Sequence, residues 1–559
     1  MPCCFSPARS PTSSRGRRSW STVAPRSTSE GSPALRERHD ERSGVDTMSR
    51  AGEDHSYLLL TGATGLLGRS LLRDLAAAGR RLAVVVRGSK TAAATDRVDE
   101  LLRDWREVAG VEVDCPVVLE GDLADEGLGL QPEQRDWIAR NVREVIHSAA
   151  SLSFQRRDAD GEPYTSNVTG TRNVLALCRA AGIRRLHHVS SAYVCGLREG
   201  TILESELDVG QTPGNDYERS KIVSEGEAAG AEFLDVCTVH RPSIIVGDLV
   251  HGFTNTFHGF YKPLRIVQPF VEAFAGADLE PGSLLEVLGM SGREGKNLVP
   301  VDWVSAAMTR IILDRTLHGR TYHLTAEVAT PVGTLCRVFE ELALEMAAAS
   351  RRQREAQGGT VRPPAFDPAL LGKVFLDQMH VYRAYWRDDP RFDAGNTRQA
   401  LPDLPAPALD EATLRRLCRF AITNQFRWPP VGRQPLPSAA RRCLERSFGH
   451  AEWSVPHQPS TLGLVATGVG GGQWTVAVAD GIPASLHVGL PPAVRPTVRI
   501  AAPVLAAVLD GQLTFDTAER SAGLVIESDA ADQPAVRAVL QRLVDRSRLA
   551  TPSLAAVDG

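Results

Sequence analysis

Short, nearly continuous apolar runs alternate with longer amphipathic stretches from Tyr57 to about Ala326. The runs YLLLTG (57–62), RLAVVVRG (81–88), CPVVLEGD (115–122), EVIHSAA (144–150), RLHHVSSAYV (185–194) and DVCTVHRPSIIVGD (235–248) each predict a buried strand. Between them, GRSLLRDLAAAG (68–79) and GTRNVLALCRAAG (170–182) place apolar residues at helical spacing. Strands apolar on both faces, alternating with helices, predict an α/β fold with a Rossmann-like, doubly wound parallel sheet. From about 331 to 450 the pattern is helical, and Phe375, Met379, Tyr382 and Trp386 form a stripe expected in a core. From about 459 glycine and valine rise and charges thin out. GQWTVAVADG, RPTVRI and SAGLVIES read as strands, APVLAAVLDG as a short helix and QPAVRAVLQRLVDR as a closing one. The expected organisation is an extension over 1–54, a nucleotide-binding domain over 55–330, a helical region over 331–450 and a small α+β domain over 459–550. The polar segment GHAEWSVPHQPST joins the last two.

Composition narrows the class. A chain of 559 residues is too long for one core. A net charge of −4 gives no reason to expect a nucleic-acid partner, and no run of about 18 apolar residues predicts a transmembrane helix. Contact with a membrane surface stays compatible with this reading. Cysteines are scattered, with no Cys-x-x-Cys and no His-Glu-x-x-His, so neither a metal site nor a disulfide framework is expected. A reducing, cytoplasmic setting fits. The first fifty residues are rich in Arg, Ser and Pro, with Glu30 the first acid and no apolar signal core. An organelle transit peptide has such a composition, but the prolines count against an amphipathic helix. Disorder, or a true start at Met48, is expected instead.

Candidate chemistry begins at LLLTGATGLLGRSLL. Gly62, Gly65 and Gly68 stand between the first strand and the first helix. The first permits a tight turn, the second a close backbone approach to pyrophosphate, the third close helix–strand packing. Thr61, Gly62, Gly65, Leu66, Leu67, Gly68 and Arg69 are therefore expected at a dinucleotide, whose phosphates meet the helix N-terminus. A carboxylate at the end of the second strand would favour NAD. Arg87 stands there and offers a donor fork to a 2′-phosphate, which points to NADP(H). Asp122 and Leu123 follow the third strand and suit the adenine, and Ala149 and Ala150 let the backbone pass close to the cofactor.

In order and spacing, TGATGLLG, GDLAD, HSAA, NVTGTRNVL, VSSAYV, YERSK, RPSIIVG and VPVDWV resemble the extended branch of the short-chain dehydrogenase/reductases. The resemblance implies Tyr217 as general acid, with Lys221 one helical turn away to favour its phenolate and to bind the nicotinamide ribose. A hydroxyl is also needed at the substrate oxygen. Ser190 and Ser191 are both available, and the family pattern selects Ser191. Asn167 matches the asparagine of the family's Asn-Val-x-Gly-Thr stretch, with a mainly structural role. VIHSAASLSF, SSAYV and VYRAYWRDDPRFDAGNTRQAL (381–401) resemble fatty acyl-CoA reductases and thioester reductase domains, and the last hundred residues resemble a sterol carrier protein-like domain.

These resemblances imply NADPH-dependent reduction of long-chain acyl thioesters, from acyl-CoA or acyl-carrier protein, to fatty aldehyde or alcohol. A long-chain lipid is implied in the C-terminal domain. Residues 251–276 are expected to line the acyl site. The rivals are a hydroxysteroid or nucleotide-sugar dehydrogenase on the same scaffold, and a non-catalytic NADP(H)-sensing lipid-binding protein.

Overall fold

The computed structural model describes residues 56–550, apart from 90–91, 112, 156–160, 274–282, 357–367, 431–438, 449–460, 468–471, 491–493, 495, 511–512, 521–523 and 530. The extension over 1–54, the join at 449–460 and the end of the 251–276 stretch lie outside the described residues. Strands β1 (Tyr57–Thr61), β2 (Arg81–Val86), β3 (Val117–Glu120), β4 (Val142–His147), β5 (Arg185–Val189), β6 (Val236–Pro242) and β7 (Thr321–Leu324) form one sheet. Its order is β7-β6-β5-β4-β1-β2-β3, and every pairing is parallel. Thr61 at the end of β1 lies opposite both Val85 and His147. The strand order therefore reverses at β1, and the crevice beyond β1 and β4 is where such sheets bind ligands.

Both faces of the sheet are buried because side chains alternate along each strand. Leu58, Leu60, Val84 and Val86 point to helices α1 (Leu66–Ala77), α2 (Ala94–Ala109) and, later in the chain, Val301–Leu313. Leu59, Ala83, Val85 and Val145 face the opposite core, with Ile138 of α3 (Pro132–Asn141), Val174 and Leu177 of α4 (Gly170–Ala180) and Ala228 of α5 (Asp216–Ala229). The closing strand β7 was not expected. Its four residues, TYHL, are half polar, and Tyr322 earns its place by packing against His240 of β6.

Helices α6 (Lys262–Ala273), α7 (Val301–Leu313), α8 (Val332–Ala356), α9 (Pro368–Met379) and α10 (Glu411–Thr423) follow. Phe260, Tyr261, Val338, Phe339, Leu342, Leu414 and Leu417 make a second core among α6, α8 and α10. The aromatic stripe is core: Phe375 and Met379 are buried with Ile266, and Tyr382 and Trp386 pack against them. The helix itself stops at Met379, and His380–Tyr385 continue as a 3₁₀ turn.

The C-terminal sheet comprises β8 (Thr461–Thr467), β9 (Gly472–Ala479), β10 (Ile482–Val488), β11 (Thr497–Ala501) and β12 (Leu524–Glu527). Its order is β10-β9-β8-β11-β12, and β8 and β11 run parallel. Helix α11 (Ala439–Phe448), which the sequence pattern grouped with the helical region, joins this core instead through Ala440, Cys443 and Leu444. Helices α12 (Ala502–Leu509) and α13 (Gln533–Ala550) complete it. Leu464, Val498, Leu505, Leu509, Leu540 and Val544 close around a space of about 10 Å³, no more than one water. No helix among the described residues is long and apolar enough to cross a membrane.

Candidate active site

The glycine turn leaves no room for side chains. Gly62 has φ +75°, and a Cβ there would lie 2.6 Å from the Ala149 nitrogen. A Cβ on Gly68 would lie 2.1 Å from the Gly62 carbonyl oxygen. Gly65 N–H donates to Gly62 O at 2.9 Å and opens α1. The first N–H groups of α1, from Leu66 and Leu67 onward, then point into the crevice as helix N-termini do, a cradle that fits a pyrophosphate. Ala149 N–H donates to Thr61 Oγ1 at 3.3 Å, which ties the β4 end to the turn, with Ala150 exposed beside it.

At the end of β2, Arg87 is exposed and 3.5 Å from Asp122 Oδ2. Arg97, which the sequence reading missed, donates from α2 to Arg87 O at 2.5 Å and to Thr64 Oγ1 at 3.2 Å. Burial and then the neighbouring Arg87 charge lower its pKa, so two guanidinium groups converge beside the turn, with Asp122 against Arg87. Only the packing of α2 beside the turn reveals this pair. Asp122 Oδ1 caps its own turn by accepting Ala124 N–H at 3.0 Å, and Leu123 O accepts Asn173 Nδ2 at 2.8 Å. Arg69, expected at the dinucleotide, is buried. Its buried guanidinium donates to Asp104 Oδ2 at 2.6 Å and lies 4.8 Å from the Phe253 ring centre, an arrangement that ties α1 to α2. A buried charge requires such a counter-ion, and Asp104 is 35 residues away in sequence.

The catalytic candidates meet where β5 ends. Ser191 caps the 3₁₀ turn Ala192–Cys195, and its Oγ accepts Tyr193 N–H at 3.2 Å. Tyr217 lies in the first turn of α5, whose cap Asn215 accepts Glu218 N–H at 2.9 Å. The Ser191 side chain lies near enough to the Tyr217 phenol to favour its ionised form. Burial nevertheless pushes the phenol up to about 12, against the lowering by Ser191 and with a further rise from Glu218. Lys221 is 3% exposed and donates from Nζ to Val189 O at 2.8 Å. Burial brings its ammonium down to about 8, and Glu225 opposes the shift. The expected depression of the phenol by Lys221 is not found: burial, Ser191 and Glu218 are the groups that shift it. Ser190 is the less suited serine: its buried Oγ has no partner among the described residues. Arg241 on β6 grips Glu225 through Nε at 3.0 Å and Nη2 at 2.5 Å, fixing α5 to the sheet.

A buried relay joins this site to the glycine turn. Thr171 Oγ1 donates to Asn167 O at 2.6 Å, so the contact with His147 Nε2 at 3.0 Å requires that nitrogen to donate. His147 Nδ1 then accepts from Thr61 Oγ1 at 2.8 Å, which fixes one neutral tautomer. Burial, then the Lys221 charge, hold the imidazole down at about 3, consistent with that assignment. Asn167 Oδ1 accepts Ser151 N–H at 2.7 Å, and its Nδ2 donates to Ser220 Oγ at 2.8 Å, which in turn donates to Tyr217 O. Around the phenol, Phe154 packs 6.0 Å from Tyr217, 5.1 Å from Tyr382 and 5.4 Å from Tyr385 between ring centres. Motif matching does not reach Phe154, Tyr382 or His147 as site residues.

Residues 60–308 match the family described as male sterility protein. Sterol demethylase protein B of Methylococcus capsulatus is 30% identical over 345 residues, 61% of this chain and 87% of that protein. A Drosophila melanogaster protein named as a fatty acyl-CoA reductase is 30% identical over 241 residues, and the match spans 36% of this chain and 46% of that relative. The terminal R domain from the myxalamid PKS-NRPS biosynthetic pathway shares the fold, with a TM-score of 0.50 at 22% identity over 67% of this chain and 92% of that one. With its parallel sheet, glycine turn and hydroxyl pair, the chain belongs to the male sterility protein family, nicotinamide-dinucleotide-binding oxidoreductases of the short-chain dehydrogenase/reductase type.

Proposed function

We propose that the protein reduces long-chain acyl thioesters, carried by coenzyme A or an acyl-carrier protein, to the aldehyde and onward to the alcohol. The observation that carries this reading is the Ser191–Tyr217 hydroxyl pair facing the aromatic wall of Phe154, Tyr382 and Tyr385. NADPH, when bound, supplies the hydride; Arg87 and Arg97 would hold its 2′-phosphate, which favours it over NADH. Ser191 and Tyr217 orient the carbonyl oxygen and stabilise the charge that grows there. Tyr217 delivers the proton, and Lys221 keeps a positive charge on the same helix face. For the thioester, loss of the thiol from the hemithioacetal leaves an aldehyde that the same residues can reduce again. The names of the Drosophila and myxalamid-pathway relatives support this class.

The C-terminal unit is proposed to hold a lipid in the manner of a sterol carrier protein. Its core would open along Leu505, Leu509 and Leu540, because ligand pockets run to about 300–1,000 Å³ and this one is shut. A reducing, cytoplasmic setting suits the seven free cysteines among the described residues. A second reading, oxidoreduction of a sterol hydroxyl or ketone, draws on the name of the Methylococcus relative.

The experiment is turnover of a panel of acyl-CoAs and of 3-keto and 3-hydroxy sterols with NADPH or NADP⁺, products identified by mass spectrometry. Aldehyde or alcohol from acyl-CoA is expected, and sterol turnover alone would overturn the first reading. Tyr217→Phe should lower kcat at least 100-fold with NADPH affinity unchanged, and near-normal turnover would remove Tyr217 from the mechanism.

A further inference from the structure

We propose that the segment 380–392 is a clamp that sets the spacing of the two catalytic hydroxyls, with Tyr385 and Asp389 as its positioning residues. The proposal rests on the reading that Ser191 and Tyr217 act on the substrate carbonyl.

One jaw grips the start of α5. Asn215 Nδ2 donates to the Tyr385 hydroxyl oxygen at 3.1 Å, and Tyr385 favours the ionised form of the Glu218 carboxyl, whose pKa burial raises. Glu218, 2% exposed, also accepts Gly214 N–H at 2.6 Å. Asn215 and Glu218 are the cap and third residue of the helix, and Tyr217 sits between them. The Tyr385 ring stacks on Phe154, whose carbonyl accepts Asp216 N–H at 3.2 Å. The first turn of α5 is thus held from both sides.

The other jaw grips the Ser191 turn. Asp389 Oδ2 accepts the Tyr193 hydroxyl at 2.7 Å and Asn297 N–H at 2.8 Å, while Oδ1 accepts Lys296 Nζ at 2.8 Å. Tyr193 N–H is the group that donates to Ser191 Oγ. Between the jaws, Arg387 donates to Gly196 O and Leu197 O, each at 2.9 Å, and so fastens the far end of the same turn. Arg391–Phe392 then pairs in parallel with Thr201–Ile202. Simple packing of one region on another needs only apolar contact. Here the polar groups meet the helix cap and the serine turn specifically, and both jaws lie within eight residues of chain.

The test uses the full-length protein with hexadecanoyl-CoA and NADPH. Tyr385→Phe should lower kcat about tenfold or more with the NADPH Kd within twofold of normal. In a Tyr217→Phe background the same change should cost less than twofold, because the clamp acts through Tyr217. Asp389→Asn strands the Lys296 charge and costs fold stability, so Asn215→Ser serves as the second variant. It keeps a capping oxygen, removes the amide donor to Tyr385, and should match Tyr385→Phe. A crystal structure of the Tyr385→Phe protein should show the Ser191 and Tyr217 hydroxyls farther apart than in a crystal structure of the parent protein, a readout that needs no substrate. Normal kcat in both single variants, full additivity with Tyr217→Phe, or an unchanged Ser191–Tyr217 hydroxyl spacing would overturn the clamp. Activity retained by Tyr217→Phe alone would instead overturn the functional reading on which it rests.

Discussion

Lys221 holds its ammonium where burial penalises charge, and its pKa of about 8 sets an upper edge to the working range. Above that value the free enzyme loses the positive charge on the helix face that serves Tyr217. The Tyr217 phenol adds no edge of its own nearby, because burial keeps it protonated to about 12. The pH profile of kcat/KM for NADPH-dependent reduction should therefore fall above about pH 8; a profile flat through pH 9.5 would show that Lys221 keeps its proton. The residues of this pair were legible through the order of the motifs around them, since four-residue spacing alone only puts two side chains on one helix face. Arg69 and Arg97 were not. A guanidinium beside a glycine turn looks the same in sequence whether it meets a phosphate or a carboxylate, and Asp104 claims Arg69 only after α2 has packed on α1.

At the scale of elements, the six apolar runs became strands, because a strand buried on both faces must be nearly all apolar. The exceptions have specific causes. Strand β7 is short and half polar, β8 carries a glycine, and β10 carries a proline, so none reaches a recognisable run. Strand β4 ends on His147, neutral in the fold, and this gives the sheet an acid limit. The ordinary imidazole value of 6.5 applies to the unfolded chain, and the folded value is about 3. A depressed folded pKa contributes stability above pH 6.5 that is lost progressively as pH falls toward 3. By pH 5 the loss from this residue amounts to about 2 kcal/mol. His188 and His240, also held neutral by burial, act in the same direction. Denaturant titrations of His147→Gln at pH 7 and pH 5 should show a difference about 2 kcal/mol smaller than in the parent protein, and an unchanged difference would contradict the assignment.

At the scale of the molecule, the boundary before the C-terminal unit lies earlier than composition suggested. Helix α11 contributes Ala440, Cys443 and Leu444 to that core, while Arg442 on the same helix pairs with Asp99 and, at 3.8 Å, with Asp96 of α2. Composition could not place it, since the amphipathic face of α11 reads the same beside either core. A fragment beginning just before Ala439 should melt cooperatively. One beginning at residue 459 should be much less stable, since Leu444 alone is worth roughly 1.5–3 kcal/mol of burial. Thermal melts followed by circular dichroism compare the two, and equal melting temperatures would return α11 to the helical region.

The bonds from Asn215 to Tyr385 and from Tyr193 to Asp389 span 170 and 196 residues of chain. At a synthesis rate of about 5–20 residues per second, 170 residues take roughly 10–30 s to make. The glycine turn, Ser191 and Tyr217 therefore all emerge from the ribosome well before the residues that fasten them. A nascent chain that has shown every motif from the glycine turn to VPVDWV still lacks the residues of the clamp. A message cut short between the codons for Val304 and Tyr385 would encode a product that carries the reductase motifs without the clamp on its hydroxyl pair.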